Sequence, residues 1–324
     1  MKELKDNFVF LCTSAAKRRS PRQKGRFLNY LTTEFTKALL PCRIEQKTEQ
    51  SGGLAGKVMG GITTSNLIVG DIKKAKKILV AGYDTPERAI FNLKYYPFSV
   101  DKNRGQEKKN LILKNVISFV VMGLSAAAIV LTWGRSWPVR IAVMVLAALA
   151  NYLAFERLMR WANWYNFNKN SGAVAVLWQM LDTVGILDGK VAYVFCDEAA
   201  NSYLGYRHLQ AYLEEKNRNA EVILLDCVAW GEGMYVGAGP KAREHQQALA
   251  QQQAGELKLE PVALEGDALE QSPLSLFPKA MMITCGSRVG DDVVVYGTRT
   301  GKDSNCDLQQ LEDLTETLVR YCQA

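Results

Sequence analysis

Hydrophobic positions along this chain fall into two patterns. Most of the sequence alternates between short apolar runs and amphipathic stretches. One region, from Leu111 to Phe155, is apolar almost without interruption. Helical spacing runs from Phe27 to Leu40 after a basic lead-in. Ser65–Val69 and Ile78–Ala81 read as short strands around a polar turn. Ser171–Leu181 reads as a helix, and Val191–Phe195 as a buried strand bounded by Gly189-Lys190 and Asp197-Glu198. Tyr203–Lys216 reads as a helix. Val222–Leu225, Lys279–Thr284 and Val293–Tyr296 read as strands. Gln246–Gln253 has the composition of a solvated helix. Asp307–Cys322 is amphipathic, with Leu308, Leu311, Leu314, Leu318 and Tyr321 on one face. Strands alternating with helices predict an α/β fold, a mixed, mainly parallel sheet flanked by helices, with sites at the carboxyl ends of strands.

The apolar region divides in two. Val116–Trp133 has 18 residues and no charge; a helix of that length rises roughly 27 Å, close to the hydrocarbon thickness of a bilayer. The second run covers Val139–Phe155, uncharged from Ile141 onward, with Arg140 and Arg157 placed to snorkel at its ends. Gly134–Arg140 forms the connecting turn around Pro138. Trp133, Trp137, Trp161 and Trp164 lie where interfacial indoles belong. This predicts a transmembrane hairpin over 111–160, inserted between residues 1–110 and 161–324 of one soluble body. The outer flanks carry Lys102, Arg104, Lys108, Lys109, Lys114, Arg157 and Arg160, against Arg135 and Arg140 in the turn. Seven cations against two predict a two-helix cell-membrane protein with its body in the cytoplasm.

Composition adds three constraints. The net charge of +7 suits an anionic leaflet, but the basic residues are scattered and no aromatic-interleaved basic motif points to nucleic acid. Seven cysteines, an odd number with no C-x-x-C pair, read as reduced thiols. Met1–Arg26 lacks the long apolar core and small-residue cleavage site of a signal peptide.

The predicted strand ends carry short motifs in a fixed order: ILVAGYDTP, FNKNSGAVAVL, VAYVFCDEAANSYLGYRHL, VILLDCVAWG and VYGTRT followed by NCDLQQLEDL. In this order they resemble the zinc-dependent aminopeptidase and carboxypeptidase family that includes bacterial leucyl aminopeptidases and glutamate carboxypeptidase. The resemblance covers about residues 20–100 and 160–324. It implies two zinc ions held by His, Asp and Glu side chains, with a further Glu as general base. Placed on this sequence, Asp84 and Asp226 match retained aspartates. Gly82 stands at one ligand His, Asn168 at the bridging Asp, Ala199 and Ala200 at the two glutamates, and Gly297 at the last His. A slip of one residue would bring Glu198 to a glutamate position, but would return neither the histidines nor the bridging Asp. The chain has two histidines, His208 and His245, and neither falls on a ligand motif.

The resemblance therefore implies a pseudopeptidase with no resident cofactor, and it sets Lys169 in the motif loop where an ammonium could take the place of a metal beside an aspartate. Other readings stay open. Asp84, Asp197, Glu198 and Asp226 could bind a hard cation instead of pairing with Lys or Arg. Cys196 with His208 could form a thiol and base, against the plainer reading of a structural cysteine and a surface histidine. Lys73–Lys77 could touch anionic lipid or be a solvated turn. An active membrane aminopeptidase with an altered zinc site is the alternative function, and a hairpin acting inside a larger membrane complex is a third. The short exit from the hairpin to Asn168 favours a membrane protein segment, a peptide near the bilayer or a lipid headgroup as partner.

Overall fold

The computed structural model describes residues 3–49, 61–156, 158, 161–200, 202–217 and 219–324. Arg157 and Arg160, two of the predicted flanking cations, and the last residues of the predicted hairpin lie outside the described residues.

Two helices open the chain, α1 (Leu4–Cys12) and α2 (Pro21–Lys37). The second starts on a capping box: the Ser20 side chain accepts from the Gln23 N–H while the Gln23 side chain accepts from the Ser20 N–H, with Pro21 at the first helical position. Strands β1 (Cys42–Glu49), β2 (Ile62–Val69), β3 (Lys77–Gly82) and β4 (Lys94–Tyr95) follow, then the long helices α3 (Val100–Leu131) and α4 (Trp137–Phe155). The rest runs α5 (Gly172–Val184), β5 (Val191–Cys196), α6 (Leu204–Lys216), β6 (Glu221–Leu225), β7 (Gly233–Ala238), α7 (Arg243–Ala250), β8 (Leu259–Ala263), α8 (Gly266–Glu270), β9 (Ala280–Val289), β10 (Asp292–Tyr296) and α9 (Leu308–Gln323).

The described strands form one mixed sheet in the order β1-β2-β5-β3-β6-β9-β10-β4, with β7 paired to both β8 and β9. Its centre, β5-β3-β6-β9, is parallel; β1, β2, β7, β10 and β4 join it through antiparallel pairs, and β8 runs parallel to β7. Every residue of β5 and β6 is buried, as continuous apolar runs require when helices cover both faces. Alternate residues divide between the two cores. Leu79, Tyr193, Phe195 and Ile223 pack with α1, α2, α5 and α9. Ile78, Val80, Val194 and Leu224 pack with α6 and the Leu274–Phe277 segment. The mixed, mainly parallel fold expected from the alternation is the fold observed.

Several elements differ from their expected bounds. β1 is largely polar and half exposed, and among the described residues it pairs on one side only, so it carries no continuous apolar signal. The Gln/Ala-rich segment is helical over Arg243–Ala250, but Gln246 is buried and donates to the Val262 and Val236 carbonyls, tying α7 to β7 and β8.

The first hairpin helix begins at Val100, eleven residues before the predicted Leu111. Ser99 caps it by accepting from the Lys102 N–H. Its foot is polar and rests on the body: Asn110 accepts from the Ile90 N–H, and the buried Lys114 ammonium lies 2.8 Å from Glu87. Beyond Lys114 cover stops. No residue of α4 is buried, and Phe119, Leu124, Leu131 and Leu146 stand open, Leu131 at 82% exposure. The two helices pack on each other, with Asn151 donating to Ser125 Oγ at 2.8 Å midway along. Both are long and apolar enough to cross a membrane. The hairpin is not a core element of the body.

Candidate functional site

Parallel pairing sets the ends of β5, β3 and β6 side by side, with Gly82 opposite Cys196 and Ala81 opposite Leu225. The residues just past these ends, Asp84, Asp197, Glu198 and Asp226, therefore share the carboxyl edge of the sheet, where α/β folds place their sites. They do not converge on one point. The edge divides into two charged centres.

The first lies around Asp84. Its buried carboxylate accepts from the Ala199 N–H at 2.9 Å and the Ala200 N–H at 3.2 Å, while its backbone carbonyl accepts from Asn170 Nδ2. Ala199 and Ala200 thus act through their backbone. Burial pushes the Asp84 carboxyl up to about 7; Lys24 opposes this, and Glu198 and Asp197 add to it. Lys24 reaches in from α2, 2.6 Å from Asp197 and 2.5 Å from Glu198. Gly82 offers no donor and no room: a Cβ there would lie 2.6 Å from the Ala199 Cβ. Gly205 is under a similar demand, since a Cβ would lie 2.0 Å from the Asp197 carbonyl oxygen. The Leu-Gly turn exists because α6 starts against that backbone.

The second centre is Asp226. Lys169 Nζ lies 2.7 Å from both its oxygens, and the Tyr95 hydroxyl donates to Oδ2. The same ammonium sits 3.7 Å from the centroid of the Tyr95 ring. Burial works against a charged Lys169, but the Asp226 carboxylate outweighs it and holds the ammonium above the ordinary lysine range. Burial and Asp226 together drive the Tyr95 hydroxyl well above its usual range, so it stays protonated as a donor.

Asn168 is a bracket. Its Oδ1 accepts from the Ala229 and Trp230 N–H groups at 2.8 and 3.1 Å, its Nδ2 donates to the Trp230 carbonyl, and its N–H donates to Asp303. The Asp303 carboxyl is likewise pushed to about 7 by burial. Gly297 sits in a left-handed turn at φ +82° and donates to Asn92 Oδ1. A side chain there would be strained. Cys196 and His208 are not brought together: Cys196 is buried in β5, and His208 pairs with Thr64 and Glu49. All seven cysteines are free thiols.

Two contributors were not singled out from the sequence. Lys24 carried a signal, because it precedes Phe27, Leu28 and Leu31 at helical spacing and so lies on the buried face of α2. Arg18 carried none. It is fully buried, donating to the Tyr83, Leu11 and Ala15 carbonyls and to Ser171 Oγ. It thereby sews the basic lead-in to the loops around the site. Burial lowers its pKa to about 10.

Above Lys169 opens a cavity of about 230 Å³ between the body and the foot of α3. Arg104 and Glu107 line it from α3, and Tyr203, Arg207 and Arg299 from the body.

No protein-family model and no curated protein matches this sequence. Solved structures do match in fold. A zinc aminopeptidase from Bacillus subtilis superposes with a TM-score of 0.57 at 11% identity, over 98% of this chain and 93% of that one. A Zn-dependent exopeptidase from Parabacteroides distasonis gives 0.56 at 12%, over 99% and 97%. A glutaminyl cyclase from Bacteroides thetaiotaomicron gives 0.57 at 12%, over 98% and 96%. The fold is that of zinc exopeptidases and glutaminyl cyclases.

The residues here do not fit the zinc centre such a fold implies. Among the described residues, no group of three or more His, Cys, Asp and Glu side chains comes together to hold an ion. Asp226 is already charge-compensated by Lys169, Asp84 is bonded to backbone N–H groups, and Gly82 has no space for a ligand.

Proposed function

We propose that this chain is a membrane-anchored, cytoplasm-facing pseudopeptidase: an exopeptidase-like body that binds or scaffolds a partner near the bilayer without zinc-dependent hydrolysis. The observation that carries this reading is the Lys169 ammonium at 2.7 Å from both oxygens of Asp226, where the resemblance would set a metal-bound carboxylate. A cation held by two oxygens and an aromatic face is a closed electrostatic unit that needs no ion. Gly82, Asn168, Ala199, Ala200 and Gly297 fill packing, bracket and turn roles, and none of them supplies a donor atom for zinc or a general base. Membrane anchoring is supported by two exposed apolar helices, and the cytoplasmic orientation by the excess of cations on their outer flanks.

The test is elemental analysis of the full chain purified in detergent, together with hydrolysis of aminoacyl-nitroanilides. Far less than one zinc per chain and no hydrolysis above buffer are expected. Turnover that disappears in Asp226→Ala would overturn the reading in favour of an active metallo-aminopeptidase.

A further inference from the structure

The cavity over Lys169 is enclosed partly by the body and partly by the hairpin helix, and its charge is lopsided. Lys94, Arg104, Lys169, Arg207 and Arg299 line it, against the single carboxylate of Glu107. Some of these cations are already engaged: Lys169 by Asp226, Arg104 by Asp101, and Arg299 by Glu107. Lys94 and Arg207 have no ion-pair partner among the described residues, and both are exposed at the rim. Behind its surface, two of the lining residues carry donors without a hydrogen-bond partner among the described residues. Arg299 is only 4% exposed and its guanidinium pairs with Glu107 and Glu87, while its Nη2, 3.5 Å from Glu87 Oε1, makes no hydrogen bond among the described residues. Buried Thr298 Oγ1 is likewise without a hydrogen-bond partner among the described residues.

Both atoms are closed to solvent and so lie behind the cavity wall, which leaves the exposed side chains of Lys94, Arg104 and Arg207 as the cations that an oxyanion entering the cavity would meet. Arginines recognise phosphate oxygens through paired, charge-assisted N–H donors. The size agrees: 230 Å³ falls below the roughly 300 Å³ at which pockets begin to hold drug-sized ligands. A small group fits. Position adds a source, because α3 runs from this cavity into the segment that crosses the bilayer.

We propose that this cavity binds a phosphate-class oxyanion, either a soluble phosphate or the phosphate of an anionic lipid headgroup, held by Arg104 and Arg207. The proposal rests on the reading of the site as a binding rather than a hydrolytic one. The test is calorimetric titration of the full chain, in an uncharged maltoside detergent, with inorganic phosphate at fixed ionic strength. Saturable binding of one phosphate per chain is expected, weakened about tenfold or more in R104Q/R207Q, which alters only exposed side chains. No saturable binding, or an affinity unchanged in that variant, overturns the proposal. Phosphatidic acid in mixed micelles distinguishes the sources: displacement of phosphate assigns the lipid headgroup, and failure to displace assigns a soluble phosphate. Zinc content and nitroanilide hydrolysis measured on the same preparation judge the pseudopeptidase reading separately from phosphate uptake.

Discussion

The hairpin and the body invert each other. Along α3 beyond Lys114, and along all of α4, leucines, valines and phenylalanines face outward with no protein over them. In the body the reverse is found: Arg18, Lys169, Asp84, Asp197 and Asp226 are taken inside, each with partners built around it. Neither arrangement is stable in isolation. An exposed apolar surface of this extent calls for a cover, and an interior charge calls for compensation. The hairpin's cover has to come from outside the chain, whereas the body's compensation is intramolecular and visible. The two regions meet at Glu87, which faces Arg19, Lys114 and Arg299 within 3.5 Å, so a polar clasp marks where one regime gives way to the other.

The inversion breaks first if the hairpin's environment is altered. Leu124 and Leu146 lie near the middle of the two predicted spans and are 67% and 63% exposed. Leu124→Arg with Leu146→Arg would be nearly neutral on a surface facing water. In hydrocarbon each arginine costs about 2.5–3.5 kcal/mol on insertion scales. The double variant is expected to leave the carbonate-resistant membrane pellet while the wild-type chain remains in it. Equal retention of both proteins in the pellet would mean that something other than lipid covers these helices.

The next largest effect comes from opening the body's closed pair. Lys169→Met leaves Asp226 buried with, among the described residues, only the Tyr95 hydroxyl and the Cys227 thiol as donors. Breaking one side of a buried pair costs about 3–5 kcal/mol, whereas replacing both sides with apolar groups is often neutral. Lys169→Met should therefore lower the urea midpoint strongly, and Lys169→Met/Asp226→Leu should recover most of the loss. A single variant as stable as wild type would show that Lys169 is not what keeps Asp226 inside.

Legibility in the sequence follows the same divide. The hairpin is a one-dimensional feature, stated by run length, so its two helices were readable; only the foot of α3 escaped, because Val100–Lys109 is polar and its helix is stabilised by contact with the body. The central strands were readable because burial on both faces leaves continuous apolar runs, as in Val191–Cys196. The ordered motifs around Asp84 and Asp226 pointed to the carboxyl edge. What stayed hidden depends on partners far away in the chain. Arg18 meets Ser171 and Lys24 meets Asp197 across well over a hundred residues, and neither pairing leaves a local pattern. Gly82 as a sterically closed position, rather than merely a missing ligand, required knowing that Ala199 packs on it.

The smallest effect concerns Asp84, and it tests how fully the body compensates its charges. Burial raises this carboxyl from 3.8 to about 7 despite Lys24, so between those values the folded chain holds a proton that the unfolded chain releases. Its contribution to stability is complete below about pH 4 and is lost as pH rises through 7. Asp303, raised to about 7 by burial, adds a slope of the same sign. Asp84→Asn removes the first share while keeping an oxygen to accept from Ala199 and Ala200. The urea midpoint of the variant relative to wild type should therefore climb between pH 4 and pH 7 and level off above. The gain is at most about 4 kcal/mol. A flat difference across that range would mean that Lys24 already keeps Asp84 ionised, making this centre a second closed ion pair like Lys169 with Asp226. The body's compensation would then be complete on both halves of the sheet edge, and the charge left over there would lie at the cavity above Lys169, where Lys94 and Arg207 have no ion-pair partner among the described residues.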